Sequence, residues 1–211
     1  EQGVIPEILF WVGCAGSFDE RAKKITKAFV KILNKANIKF AVLGKEESCS
    51  GDPAKRAGNE FLFQMQAMNN IETLNSYSIK SIVTTCPHCF NTIKNEYPEL
   101  GGKYTVYHHS QFLNKLMKEG RISVEGGNFK GKKITFHDPC YLGRANGVYE
   151  APRNLIKKID AELIELKRSR SKGLCCGAGG AQMFKESEQG RKEISSETVS
   201  YTHLRAHETL G

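Results

Sequence analysis

Two cysteines of this chain recur at a fixed distance along the sequence. Cys14 and Cys49 are separated by 34 residues, and so are Cys140 and Cys175, which lie 126 positions further on. Each first cysteine follows a strand-like segment, and each second cysteine precedes a loop that contains glycine. A repeat of this size indicates duplicated supersecondary units, so we expect two structural units of similar construction.

The first copy of the repeat continues into the pair Cys86-x-x-Cys89. The same shift predicts a matching pair at positions 212 and 215, just past the last residue. We therefore predict a first repeat over 1–125 and a second, truncated repeat over 126–198, with glycines marking the linker between them.

Apolar segments alternate between strand-like and helix-like patterns. The runs 8–12 and 79–85 are short, apolar and bounded by turn residues, which is typical of buried strands. Segment 61–74 carries apolar residues at helical spacing, and we predict that its Met65 and Met68 fill the core. Strands that alternate with helices indicate a largely parallel sheet with helices on both faces. The predicted fold class is α/β, with two tandem units that contain parallel sheets and are related by an approximate two-fold axis.

Polar residues mark several predicted element boundaries. We expect Asp19 and Ser110 to cap the helices that follow them. The pair His108-His109 is expected at a strand end or helix entry and not on a metal.

Composition narrows the class of partner and the compartment. The formal net charge is +8, but the lysines lie mainly on helical segments and lack the interleaved aromatics of a base-stacking surface. We therefore predict no nucleic-acid partner. No apolar run approaches the roughly 20 residues that span a bilayer, and no secretory signal is present, so we expect a cytoplasmic protein. In that compartment seven cysteines favour metal or redox chemistry over structural disulfides.

The cysteines are suited to an iron–sulfur cluster. Thiolates are the soft ligands that hold such clusters, and ligands at the carboxyl ends of parallel strands converge on one crevice. Glycines beside the cysteines allow the backbone to approach a bulky cofactor. Structural zinc with four thiolates stays open as the alternative for the first copy. The candidate cofactor and metal ligands are Cys14, Cys49, Cys86, Cys89, Cys140, Cys175 and Cys176.

The segments around these cysteines resemble the cysteine-rich CCG domain found in heterodisulfide reductases, glycolate oxidase iron–sulfur proteins and lactate-utilisation proteins. The resemblance covers roughly residues 7–198 and is carried by 10–16, 85–91, 137–144 and 175–180. These motifs are most similar to a branch that accompanies electron-transfer flavoprotein and acyl-CoA dehydrogenase systems and passes electrons towards quinone.

This resemblance implies a [4Fe–4S] cluster, which in some members is a noncubane form held by five cysteines. Ser48 occupies the position of the first cysteine of the pair, so the first copy offers four thiolates, which suit a cubane cluster or mark a degenerate site. The second copy has the adjacent Cys175 and Cys176 but lacks its last pair, so the noncubane form is considered there.

The implied function is electron transfer between a flavoprotein or another redox subunit and a quinone-side or other acceptor. Association with the membrane would then come through a membrane-bound partner. Two alternatives remain: an oxidoreductase that reduces a disulfide at the cluster, as in the heterodisulfide reductase relatives, and a structural zinc-binding module. The carrier role is favoured over a catalytic subunit, and no catalytic residue is assigned.

Other polar residues lie beside the cysteines. His137 either tunes a cluster by hydrogen bonding or proton transfer, or is a strand-end histidine bonded to backbone. His88 is expected to be oriented by its turn and not to be a ligand. Asp52 and Asp138 are expected to cap helices or hold loops, because neither pairs with a second carboxylate as acid–base catalysis requires.

The C-terminal segment 199–211 does not continue the family pattern. Its sequence resembles a translated sequencing adaptor, so we predict a non-native tail and exclude it from fold reasoning. Its His203 and His207 are not expected to bind metal.

Overall fold

The chain forms two units. The computed structural model describes residues 6–124, 127, 129–182, 185–186 and 194–208, with side chains described as far as residue 202. The first unit comprises Glu1–Lys55 and Asn59–Ser123, and the second comprises Arg56–Gly58 and Val124–Gly211.

A four-stranded parallel sheet forms the centre of the first unit. Its strands, in the spatial order β2-β1-β3-β4, are β1 Ile8–Trp11, β2 Phe40–Ala41, β3 Ser81–Thr84 and β4 Thr105–His108. Every neighbouring pair of strands is parallel. The predicted α/β class and the parallel sheet are therefore confirmed.

Helices connect these strands. They are α1 Gly13–Phe18, α2 Glu20–Lys35, α3 Asp52–Arg56, α4 Glu60–Ser76, α5 Pro87–Asn91 and α6 His109–Lys118. From β1 the chain passes to β2 on one side, and it later returns to β3 on the other side of β1. In an open α/β sheet the crevice at such a reversal, outside the carboxyl ends of the strands, is the usual ligand site.

The core forms where apolar faces of the helices cover the sheet. All four residues of β1 are buried, and Phe10 packs edge-on against Phe29 of α2 at 5.0 Å between ring centroids. The prediction for Met65 and Met68 is wrong, since these side chains are 54% and 59% exposed. Helix α4 is apolar on two faces, and the face with Phe63 is the one that is buried.

The two predicted helix caps had different outcomes. Asp19 caps α2 and accepts a hydrogen bond from the Ala22 amide at 2.7 Å. Ser110 is not a cap, because α6 already begins at His109 and the cap is His108. The His108 backbone N–H donates to the Gln111 side chain, and the His108 ring accepts from the Ser110 amide. The two histidines thus occupy the predicted strand end and helix entry.

The second unit contains a smaller parallel sheet. Its elements are β5 Lys133–Ile134, α7 Glu150–Lys158, β6 Glu162–Leu163 and α8 Ile194–Glu208, with β5 paired to β6. The backbone of 199–208 continues α8, whereas 209–211 lie outside the described residues. The interpretation of 199–211 as a non-native tail stays a prediction, and the side chains of His203 and His207 are not described. None of the described helices is long and apolar enough to cross a bilayer.

Candidate functional site

Three of the four cysteines of the first unit lie at the carboxyl ends of its two central strands. Cys14 is the second residue of α1, directly beyond β1. Cys86 follows β3 and caps α5, which contains Cys89. Cys49 lies in the loop before α3. Both strands border the crevice where the order of the sheet reverses, so the fold itself delivers three of the four thiols to one place.

The four thiols of the first unit affect one another's ionisation. Burial raises the pKa of Cys49, and negative charge on Cys14 and Cys86 raises it further. Cys89 senses the charges of Cys86 and Cys14 in the same way. Gly13 has a φ of +76°, and a Cβ atom built there would lie 3.6 Å from the Cys89 sulfur. The turn that presents Cys14 therefore passes beside Cys89.

A hydrogen bond between the thiols of Cys86 and Cys89 moves their pKa values in opposite directions. The Cys89 thiol donates to the Cys86 sulfur, and this bond is the main reason why the pKa of Cys86 is lowered to about 6. The same bond, together with complete burial, raises the pKa of Cys89. Binding of a metal centre by both sulfurs must therefore release a proton from Cys89.

Glu47 joins the Cys49 loop to the turn that carries Cys14. Its carboxylate accepts hydrogen bonds from the Val12 amide at 3.0 Å and the Gly13 amide at 2.6 Å. Burial raises the pKa of Glu47, and these two bonds only partly offset the shift. The side chain thus satisfies two backbone donors that helix α1 itself leaves unpaired.

A second set of buried groups holds the opposite side of the Cys49 loop. Asn70 of α4 donates to the Cys49 carbonyl at 2.9 Å and to the Tyr97 hydroxyl at 3.0 Å. Tyr97 in turn donates to the Ser50 carbonyl at 3.1 Å. The Ser48 hydroxyl donates to the Asn70 side-chain oxygen at 2.8 Å. Asn70 and Tyr97 are fully buried.

Asp52 joins the loop to the Cys86–Cys89 helix. Its buried carboxylate lies 2.8 Å from the His88 ring nitrogen Nδ1 and accepts from the Thr92 hydroxyl at 3.4 Å. His88 is therefore oriented by Asp52, a partner that no local sequence signal indicated. Gly51 has a φ of +88°, a conformation that residues with side chains rarely adopt, so glycine allows the loop to turn here. A Cβ atom at this position would also lie 2.7 Å from the Phe63 ring.

The cysteines of the second unit also affect one another's ionisation. Burial raises the pKa of Cys140, and negative charge on Cys176 and Cys175 raises it further. The Gly177 amide donates to the Cys175 sulfur at 3.4 Å. Cys175 is exposed, whereas Cys140 and Cys176 are half-buried.

A buried arginine supports the segment that leads to Cys140. Arg153 of α7 is 1% exposed and donates to both Asp138 oxygens at 2.7 and 2.8 Å, and to both Glu165 oxygens at 2.6 and 2.9 Å. The Arg170 amide adds a bond to Asp138 at 2.6 Å. Burial alone would raise the pKa of Asp138, but these donors hold it below its usual value. The sequence carried no signal for Arg153, while Asp138 holds a loop as expected.

His137 is a further group beside Cys140. Its pKa is lowered, mainly by burial. Its Nε2 atom is buried and has no hydrogen-bond partner within the described part of the chain. The two roles considered for His137 both stay predictions.

The donor chemistry fits an iron–sulfur cofactor in the first unit. Within the described residues, no three His, Cys, Asp or Glu side chains form a group that could hold one metal ion. A [4Fe–4S] cluster takes one thiolate per iron, so its ligands face one another across a larger space than ligands of a single ion. Four thiols from three segments of the first unit supply the soft donors that an iron–sulfur cluster needs.

Fold and site together define an α/β protein with a cysteine-rich site at the carboxyl ends of a parallel sheet. A model of the family described as "Cysteine-rich domain" (CCG) matches residues 8–94 and 134–203. The chain belongs to this cysteine-rich domain family, which confirms the resemblance seen in the motifs.

Three relatives illustrate the breadth of the similarity. The chain is 46% identical over 193 residues to the EtfAB:quinone oxidoreductase of Syntrophomonas wolfei and 48% identical over 187 residues to the probable iron-sulfur-binding oxidoreductase FadF of Bacillus subtilis. It is 36% identical over 181 residues to one component of the dihydromethanophenazine:CoB–CoM heterodisulfide reductase of Methanosarcina barkeri. These matches cover 92%, 88% and 82% of this chain, but only 27%, 26% and 43% of the relatives.

Proposed function

We propose that this chain is the cluster-binding part of an iron–sulfur electron-transfer protein, which passes electrons between a flavoprotein and a quinone-side or other acceptor. The observation that carries the proposal is the position of Cys14, Cys86 and Cys89 at the carboxyl ends of the two central strands, with the Cys49 loop bound to the Cys14 turn through Glu47. Support comes from relatives whose names describe an EtfAB:quinone oxidoreductase and an iron-sulfur-binding oxidoreductase.

The ligands in the first unit are Cys14, Cys49, Cys86 and Cys89. Four thiolates suit a cubane [4Fe–4S] cluster, which supplies one-electron chemistry when bound. The residues of the chain hold this site rather than react: Glu47 fixes the Cys14 turn, and buried Cys89 keeps one edge away from water. The amide of Gly13 is already committed to Glu47, so it is not available to the cluster.

The second unit offers a partial site. Cys140, Cys175 and Cys176 are its three candidate ligands, so a noncubane cluster with five cysteines requires further donors. The Arg153–Asp138 pair preserves the position of Cys140 whether or not a cluster is present, because its contacts are internal to the unit.

Redox subunits, including a flavoprotein, are the proposed partners. We place the protein in the cytoplasm, with contact to the membrane through a partner. The similarity to a heterodisulfide reductase component supports a second candidate function, reduction of a disulfide at a five-cysteine cluster. Ser48 makes the first unit a poor site for that reaction, since it leaves only four thiols there.

The test is anaerobic reconstitution of the whole chain with ferrous iron and sulfide, followed by iron, sulfide and zinc analysis and EPR spectroscopy of the reduced protein. We expect Cys86→Ser to abolish the main EPR signal and Cys140→Ser, its matched control in the other unit, to leave that signal in place. Zinc bound without sulfide would refute the cluster.

A second measurement separates carrier from enzyme. The reconstituted chain is mixed with a reduced electron-transfer flavoprotein, and separately with a disulfide substrate. Reduction by the flavoprotein without an EPR response to the disulfide supports the carrier. A disulfide-dependent EPR signal refutes it in favour of the enzyme.

A further inference from the structure

The loop that carries Cys49 is held by side chains that are not cysteines. Asn70 and Tyr97 donate to two consecutive carbonyl groups of this loop, those of Cys49 and Ser50. Both side chains are fully buried. A buried carbonyl that loses its donor is costly, so these two bonds specify a single conformation of the loop.

Ser48 belongs to the same set of contacts. Its hydroxyl donates to the Asn70 side-chain oxygen at 2.8 Å, so this side chain faces α4. The same Asn70 side chain donates to the backbone carbonyl of the neighbouring Cys49 at 2.9 Å. Asn70 therefore binds the side chain of one loop residue and the backbone of the next, and holds both in one arrangement.

We propose that Ser48, Asn70 and Tyr97 are positioning residues that hold the Cys49 loop, and with it the Cys49 thiol, in one arrangement, and that the side chain at position 48 faces Asn70 and not the cofactor space. A thiol placed at position 48 would then contact Asn70 and would not become a fifth ligand. The consequence at the cluster rests on the proposed function, whereas the positioning of the loop does not.

The first test uses the metal-free, reduced chain and measures the rate at which iodoacetamide alkylates each cysteine, read by peptide mass spectrometry. Asn70→Ala removes the donor to the Cys49 carbonyl and the acceptor of the Ser48 hydroxyl. We expect Cys49 to react about tenfold faster relative to Cys14, because the loop opens more often. Asn69→Ala is the matched control: this asparagine is adjacent on α4 but exposed, and its rate ratio should stay within about twofold of the unmodified chain. An unchanged ratio in Asn70→Ala overturns the proposal.

Milder variants keep the test decisive if Asn70→Ala unfolds. Tyr97→Phe removes only the hydroxyl that reaches Ser50, and Ser48→Ala only the one that reaches Asn70. We expect each variant to raise the alkylation rate of Cys49 relative to that of Cys14 about threefold. Ser48→Thr keeps a hydroxyl and should give the same rate ratio as the original chain. A Ser48→Thr ratio as high as that of Ser48→Ala would contradict the role of the hydroxyl.

The second test addresses the cofactor. Ser48→Cys is reconstituted with iron and sulfide, and its EPR spectrum and iron-to-sulfide ratio are compared with those of the original chain. We expect both to be unchanged, because the new thiol faces Asn70. A new EPR signal or a changed iron-to-sulfide ratio overturns this part of the proposal. If the original chain takes up no cluster, the proposed function fails, while the alkylation rates still decide whether the three residues position Cys49.

Discussion

Lowering the pH from 7 to 5 should destabilise the first unit through two buried histidines. The rings of His108 and His109 lie 4.2 Å apart between centroids at the start of α6. Burial, with a smaller contribution from His109, lowers the pKa of His108 to about 3. Burial lowers the pKa of His109 to about 4, and its Nδ1 atom has no hydrogen-bond partner within the described residues. Both rings are therefore neutral in the folded chain at pH 5.

The sign of the effect follows from proton binding. In the unfolded chain both histidines titrate near the ordinary pKa of about 6.5, so between pH 6.5 and 4 the unfolded state binds more protons than the folded state. Stability is therefore lost as the pH falls through this window. Within this window each pH unit lowers the free energy of unfolding by about 1.4 kcal/mol for each histidine. At pH 5 the loss of stability from His109 alone is therefore about 2 kcal/mol.

His109→Phe tests this magnitude. The ring packs edge-on against Phe29, so phenylalanine retains the aromatic contact and removes the titration. Urea unfolding is followed by the fluorescence of Trp11, the single tryptophan, which is fully buried in β1 of the same unit. Between pH 7 and 5 the variant should lose about 2 kcal/mol less stability than the original chain. Equal losses in both proteins would refute the reasoning.

Two further predictions concern stability. Arg153→Met leaves the buried carboxylate of Asp138 without its arginine partner and should destabilise the second unit by about 3–5 kcal/mol. Limited proteolysis of that unit should be faster in this variant. Lys157 is exposed on the same helix, so Lys157→Met should have little effect. Gly51→Ala combines a strained φ of +88° with a clash against Phe63, and should cost about 1–3 kcal/mol in Trp fluorescence-detected unfolding. Gly101→Ala has the same φ but open space around it, so a cost equal to that of Gly51→Ala would contradict the clash.

The elements that follow a local rule could be predicted from the sequence. Strand β1 is a continuous apolar run, because it is buried on both faces of a parallel sheet. The cap at Asp19 follows from its position before an amphipathic helix. The repeated cysteine spacing drew attention to these residues, and in the first unit Cys14 and Cys86 lie just beyond the carboxyl ends of β1 and β3.

Other features depend on contacts that have no local pattern. Helix α4 carries apolar residues on two faces, so periodicity alone could not tell that Phe63 is buried and Met65 exposed. The bond from Ser48 to Asn70 spans 22 positions and the one from Tyr97 to Ser50 spans 47. No short motif encodes such pairs, and Ser48 could be recognised only as a departure from the expected cysteine.

The supports of the Cys49 loop bear on how a cluster would behave there. Glu47 binds the loop to the Cys14 turn, Asn70 to helix α4, and Asp52 to the helix that contains Cys86 and Cys89. Groups that orient metal ligands set their geometry before the metal arrives. Because each of these bonds is made by a buried or half-buried side chain of the first unit, the backbone of the Cys49 loop is held in place without any contribution from a cluster. An electron carrier benefits from such fixed supports, whereas the disulfide-reducing alternative rests on a cluster with five cysteines, and the sequence of the first unit supplies four.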